Sequence, residues 1–298
     1  MRWPLPVAFF TNEEGSRFQP DMFGSLVFVG GLPLEVALDT VAVDGAVAGE
    51  ELERIGYVGP MPCPARPPRA FVELHIEQGP VLEAEGDTIG AVTGVQGISW
   101  QELTITGQSN HAGTTPMDHR HDPAYAAAVI ATFVRELALE LGPPQVATVG
   151  RIELHPNLVN VVPARASLTV DLRNTDEAIL QQAEARLAAR CDELAAAEGV
   201  QIERRTLARF EPVAFDPEMV DRVQRIAEAQ GHRVRRMPSG AGHDAQMLAR
   251  VCPTSMVFTP SIRGISHNPA ERTEPADLEA GANVLLGVLC ELAGVEDS

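Results

Sequence analysis

Paired cysteines, basic surface and long apolar runs are all missing from this 298-residue chain, and each gap removes a class of function. Against 41 Asp and Glu stand only 23 Lys and Arg, a formal net charge of −18. Phosphate backbones and anionic membrane surfaces are bound through basic patches, so no nucleic acid and no membrane is expected as a partner. No stretch approaches the ~18 consecutive apolar residues of a transmembrane helix. Cys63, Cys191, Cys252 and Cys290 are scattered without a CxxC pair, which reads as reduced thiols rather than a disulfide framework. The opening stretch Met1–Phe10 is too short for a signal peptide and runs straight into Glu13 and Glu14, so the expected location is the cytoplasm. There is no internal repeat and no low-complexity segment.

What is present suits about two domains, each with its own core. The apolar fraction of 45% is ordinary for a globular protein. Residues 1–97 alternate short apolar runs with Gly/Pro loops. Val7-Ala8-Phe9-Phe10 reads as a buried strand, Phe71–Glu77 as an alternating strand ending at Gly79-Pro80, and Ile89–Thr93 as another. Residues 98–208 have their own rhythm: strand Trp100–Thr106, helix Pro123–Leu141 stopped by Gly142-Pro143-Pro144, strands Val146–Glu153 and Ala166–Leu172, helix Asp176–Glu198 ended by Gly199, and strand Val200–Leu207. That order is the split βαβ, ferredoxin-like sandwich, inserted into a larger domain. Residues 209–298 return to helix/strand alternation, with helix Pro217–Gln230, strand Met256–Thr259 and a closing helix Asp277–Ala293. The expected fold class is therefore α/β, with an inserted α+β domain.

Four constellations carry chemistry. Thr11-Asn12-Glu13-Glu14-Gly15 sets two adjacent carboxylates behind an apolar run, and ligand crevices of open α/β sheets lie at strand ends. Adjacent glutamates are also common on solvated loops. His75 lies on one face of an alternating strand, and His267 in the turn Ser266-His267-Asn268-Pro269-Ala270-Glu271. Each alone reads equally as an ordinary core or surface histidine, but Glu14, His75 and His267 together make an N/O set for zinc, manganese or another divalent ion. Ser109–Met117, Asn157–Pro163 and Asp171-Leu172-Arg173-Asn174 put a histidine, an amide and a guanidinium in the inserted domain. Arg173 is either an exposed strand residue or the fork for a substrate carboxylate. Gly240-Ala241-Gly242-His243-Asp244-Ala245 enters a helix and reads as an anion cradle at its N-terminus. It lacks the GxxxxGK[ST] pattern, which argues against nucleotide binding.

In this order, Thr11–Phe18, His75–Pro80, Asn110–Met117, Gly240–Ala245 and Ser266–Pro269 resemble the dinuclear-metal N-carbamoyl-L-amino-acid hydrolases and their relatives β-ureidopropionase and allantoate amidohydrolase. The resemblance implies a metallopeptidase-like catalytic domain, residues 1–97 and 209–298, with residues 98–208 as a lid that also forms a homodimer. It implies Glu13 as general base, Glu14, His75 and His267 as metal ligands, and His111 as the oxyanion donor. Asn160 and Arg173 would bind the substrate carboxylate, with Gln78 and the Gly242 backbone as lesser contacts. Two divalent ions, Zn, Mn, Co or Ni, are implied as cofactors, and a small ureido acid as substrate. Family members carry an upstream segment of roughly a hundred residues, about one small domain's worth. It supplies a further histidine and an aspartate bridging both metals. The chain is thus expected to be truncated and to hold metal weakly, and Asp21, Asp39 and Asp44, downstream of the pair, do not replace the missing ligands.

The implied reaction is hydrolysis of the carbamoyl C–N bond to amino acid, carbon dioxide and ammonia. Gly97-Ile98-Ser99-Trp100 resembles the carbamoylase branch more than the allantoate branch. Allantoate amidohydrolase and β-ureidopropionase are the alternative activities, and a non-catalytic fragment that only dimerises is the alternative of another class.

Overall fold

The structure, a computed structural model, describes residues 2–295. The chain divides into two compact units, Met1–Val95 with Val213–Ser298, and Gln96–Pro212. The second unit starts two residues before and ends four residues after the insertion read from sequence at 98–208.

The first unit opens with three short helices, α1 (Phe23–Val29), α2 (Leu34–Leu38) and α3 (Ala48–Ile55), then strand β1 (Phe71–Ile76), helix α4 (Val81–Glu85) and strand β2 (Ile89–Val95). The expected strand at Val7–Phe10 does not form. These residues run as coil, with Val7 78% and Phe9 93% exposed and no strand ladder beside them. Phe10 alone turns inward, edge-on to Phe28 with ring centroids 5.5 Å apart. An apolar run four residues long fits a strand equally well, and only a paired neighbour can decide the matter.

The second unit contains β3 (Gly97–Thr106), β4 (Asn110–His111), α5 (Pro123–Leu141), β5 (Val146–His155), β6 (Val161–Val162), β7 (Arg165–Asn174), α6 (Glu177–Glu198) and β8 (Gln201–Phe210). Its main sheet has the order β5-β7-β3-β8, antiparallel throughout, which is the ferredoxin-like arrangement. Both helices start where sequence chemistry demands. The Asp122 carboxylate accepts from the Ala124 and Tyr125 N–H groups, with Pro123 at the first helical position, and Asp176 accepts from Ala178 and Ile179. Along β7, Ala166, Leu168, Val170 and Leu172 are buried in alternation and form one core with Leu180, Ala183, Leu187 and Cys191 of α6. The intervening Thr169, Asp171 and Arg173 therefore share the opposite face of the sheet.

The chain returns to the first unit with β9 (Val213–Ala214), α7 (Pro217–Ala229), β10 (Val234–Ser239), α8 (Asp244–Leu248), β11 (Thr254–Thr259) and α9 (Pro275–Ala293). The sheet runs β1-β11-β2-β10, with β9 paired to β2. β11 is buried along its whole length and β2 nearly so, as central strands covered on both faces must be. Strand β10 escaped the sequence reading because Arg235 and Arg236 interrupt any apolar pattern. Helix α9 lies so close to the sheet that a Cβ on Gly281 would fall 2.5 Å from Thr259 Cγ2 and 2.7 Å from Leu74 Cδ1. Among the described residues no helix is long and apolar enough to cross a membrane.

All 23 basic residues are arginine, since the sequence contains no lysine. Exposed pairs such as Arg225–Glu291 contribute about 0–1 kcal/mol each, so the fold rests on its apolar cores. Replacing fully buried Leu187 by Ala should therefore destabilise the second unit by about 2–5 kcal/mol. Removing the cap with Asp176→Ala should cost about 0.5–2 kcal/mol. Urea denaturation followed by Trp100 emission ranks the two. A larger loss from the cap would show that helix termination, not packing, limits this unit.

Candidate active site

The loop carrying Glu13 and Glu14 is built by its neighbours. Asn12 lies in the left-handed region, φ 54°, and its side chain imitates a strand partner: Oδ1 accepts from the Phe18 N–H at 3.1 Å and Nδ2 donates to the Phe18 carbonyl at 2.8 Å. Gly15, φ 64°, must be glycine, because a Cβ there would meet the Asp21 backbone at 2.9 Å. The Met22 N–H donates to the Glu13 carbonyl at 2.8 Å and closes the loop. Glu13 is held half-buried and Glu14 exposed, so two adjacent residues of one type sit in different dielectrics.

That difference matters chemically. Burial pushes the Glu13 carboxyl up to about 7, helped by the charges of Asp244, Glu14 and Asp21. A carboxylate so placed can take and return a proton near neutrality. Glu73, on β1, is pushed up to about 8, chiefly by burial. The Ala245 N–H opposes this at 2.9 Å, while Asp244 and Glu13 add to it. His243 is 1% exposed, and burial drives it down to about 3, with His75 contributing. Its Nδ1 lies 3.9 Å from Glu73 Oε1, and both shifts favour the uncharged forms, so at pH 7 this contact is not an ion pair. The Ala245 N–H that an anion cradle would offer is already engaged by Glu73, and α8 is only five residues long. The expected anion site at its N-terminus is therefore occupied by the protein's own side chain.

Glu73, His243 and Asp244 were missed as a cluster. The available signal was the alternation of Glu73, His75 and Glu77, three polar groups on one strand face. Glu77 is consumed structurally, accepting from the Val81 and Leu82 N–H groups at 2.7 and 2.8 Å as the cap of α4. It fixes the turn in which Gln78 adopts φ 57° and donates its N–H to Ser261 Oγ at 3.0 Å. Gly242 is half-buried, and a Cβ there would stand 3.1 Å from Met22 Cε.

The metal-type residues fall into a pair and a single. His267 Nε2 stands 3.7 Å from Glu14 Oε2, both well exposed. His267 has φ 52°, and its N–H donates to Glu271 Oε2 at 3.0 Å. His75 stands instead against His243, ring centroids 4.6 Å apart. Its Nδ1 contacts the Ile76 carbonyl at 2.8 Å, a partner that only accepts, so Nδ1 carries the proton and Nε2 keeps a ligand-ready lone pair. Among the described residues no three His, Cys, Asp or Glu side chains form a group that could hold a metal ion. A tight zinc site takes at least three protein ligands, so these residues do not by themselves fit a metal centre.

The second unit carries the remaining candidates. His111 Nδ1 accepts from the Gly113 and Thr114 N–H groups at 3.1 and 3.2 Å, which fixes the neutral ring as the Nε2–H tautomer. Arg120 braces this loop through the Ala112 and Thr115 carbonyls. Asn160 is exposed, and its carbonyl accepts from the Ala112 N–H at 2.9 Å, which ties it to the antiparallel β4–β6 ladder. Arg173 is half-buried and engaged by Asp171.

The sequence matches peptidase family M20/M25/M40 over residues 2–291. It is 42% identical over 292 residues to an N-carbamoyl-L-amino-acid amidohydrolase of Rhizobium meliloti, covering 98% of this chain and 70% of that protein. It is 41% identical over 295 residues to an allantoate amidohydrolase of Escherichia coli K12, covering 97% and 71%. Among solved structures, a hydantoinase/carbamoylase family amidase from Burkholderia multivorans superposes with TM-score 0.93 at 49% identity, over 96% of this chain and 69% of that one. Its relatives are hydrolases of C–N bonds, its fold is metallopeptidase-like α/β, and the chain belongs to peptidase family M20/M25/M40.

Proposed function

We propose that this chain is an amidohydrolase for N-carbamoyl-L-amino acids, cleaving the carbamoyl C–N bond with water to give the amino acid and carbamate, which breaks down to carbon dioxide and ammonia. The observation that carries the reading is Glu13, a carboxyl held near pH 7 beside an exposed, ligand-type glutamate. Identity does not separate the candidate substrates, since 42% to a carbamoylase and 41% to an allantoate enzyme are equivalent. The Gly97-Ile98-Ser99-Trp100 segment favours the carbamoylase. Glu13 takes a proton from the attacking water and returns it to the leaving nitrogen. His111, its Nε2–H set by two backbone donors, is suited to meet a developing oxyanion. Arg173 and Asn160 are assigned to a substrate carboxylate, and Gln78 and Gly242 to lesser contacts.

Glu14, His267 and His75 are assigned to divalent metal, zinc, manganese, cobalt or nickel. The described ligands stop short of three in one place, and the proton transfers fall to the chain's own Glu13. That shortfall favours a second reading, a chain that associates without turnover. Association is assigned to the second unit, as a homodimer. Its edge strands β5 and β8 are largely exposed, and free edges pair readily. The cytoplasm is the proposed location.

If Glu13 is the base, kcat/KM should fall about tenfold per pH unit below about pH 7, because the carboxyl must be ionised to accept a proton. Glu13→Gln should lower turnover of an N-carbamoyl amino acid by about 10²–10⁴-fold. An acid limb near pH 4, or a fully active Gln variant, would assign the proton transfer elsewhere. After loading with zinc and dialysis, metal analysis should find fewer than two ions per chain; two tightly held ions would contradict the ligand shortfall. Sedimentation should give a dimer, and a monomer at all concentrations would remove the assigned interface.

A further inference from the structure

The guanidinium of Arg173 does not hang free from its strand. Asp171, two residues earlier on β7 and on the same face, receives Arg173 Nε at 3.1 Å from each of its oxygens and Nη2 at 2.9 Å from Oδ2. Across the ladder, Trp100 is the register partner of Asp171, and its ring centroid lies 5.9 Å from the Arg173 guanidinium carbon. On β3 and β5 the register partners of Arg173 itself are apolar, Ile98 and Val146. Asp171 thus takes the Nε side of the fork and Trp100 offers a ring to its face, while neutral residues flank it on both neighbouring strands.

From this we propose that Asp171 and Trp100 are positioning residues that set the orientation of Arg173 for a carboxylate ligand. The proposal rests on the reading of Arg173 as the carboxylate binder and adds the groups that make it selective. An unrestrained arginine loses its rotamer freedom when a ligand arrives, whereas a fork already fixed by a bidentate partner loses little. Opposing this, the charge of Asp171 repels a second carboxylate. The pair is only partly exposed, 23% for Arg173 and 28% for Asp171. Orientation and repulsion therefore act at close range with opposite signs on affinity, and Asp171→Asn separates them because it keeps the shape while removing the charge and the strong acceptor. Orientation wins in this proposal.

Trp100 also supplies the assay, because the chain has only two tryptophans and the other is Trp3. In a Trp3→Phe background, N-carbamoylglycine should shift Trp100 emission saturably at pH 8, while its uncharged amide should not. Asp171→Asn should raise the apparent Kd for N-carbamoylglycine about tenfold, with far-UV circular dichroism unchanged. Arg173→Lys should abolish the carboxylate preference. Unchanged or tighter binding by the Asn variant would overturn the positioning role, leaving Arg173 as the binder. A carboxylate preference that survives Arg173→Lys, or none in the parent, would overturn the reading of Arg173 and this proposal with it. Should the Asn variant fold poorly, arginine Nε–H spectra of the parent chain serve instead. A restrained, slowly exchanging Arg173 Nε–H supports the proposal, and a freely rotating one overturns it.

Discussion

Carboxylates taken out of water without cationic partners set the character of the first unit's site. Glu13 and Glu73 are raised mainly by desolvation, the charge of Asp244 raises both, and Glu13 raises Glu73 further. Arginine is plentiful in this chain, but it sits on surfaces, where Arg17, Arg225 and Arg236 pair with acids. Putting one beside Glu13 would lower its pKa and remove its ability to hold a proton near neutrality. Among the described residues neither Glu13 nor Glu73 forms an ion pair with an arginine, which suits a carboxyl that must hold a proton near neutrality. The site depends on the parallel pairing of β1 with β11, which carries Glu73 and His75 beside a fully buried strand and against α8.

The second unit follows a different rule, in which backbone geometry and near neighbours set the state of each polar group. Two N–H groups choose the tautomer of His111, and Asp171 chooses the orientation of Arg173. Such arrangements need a rigid frame. The frame is an apolar core closed on one side of a four-stranded sheet, which leaves the other side free to carry charged groups. Glu102 on β3 illustrates the same face, bridged by Arg205 from the adjacent β8 and by Arg151 from β5, one strand beyond β7.

Much of this was legible in the chain. The helix Pro123–Leu141 begins and ends where Asp122, Pro123 and Gly142 say it must, and the four strands of the second unit's main sheet follow from strand-like patterning. The first unit was less readable. Val7–Phe10 has strand composition but no partner strand, and β10 has a partner but not the composition. The cluster of Glu73, His243 and Asp244 joins residues some 170 positions apart, a proximity that no local pattern encodes. The glycine-rich turn before α8 has the look of an anion site, and only the fold reveals that Glu73 already fills it.

By itself, then, the sequence determined the class of fold, the inserted α+β unit and the inventory of groups able to move protons, bind carboxylate or ligate metal. These follow from periodicity, capping and side-chain chemistry, all of which are local. Tertiary structure decided which groups share a dielectric and which share a neighbour. It buried Glu13 and left Glu14 exposed, brought Glu14 to His267 but His75 to His243, and set Arg173 on Asp171. The reason is that desolvation and short-range electrostatics depend on distance in space, and a linear chain specifies that distance only once its sheets have closed.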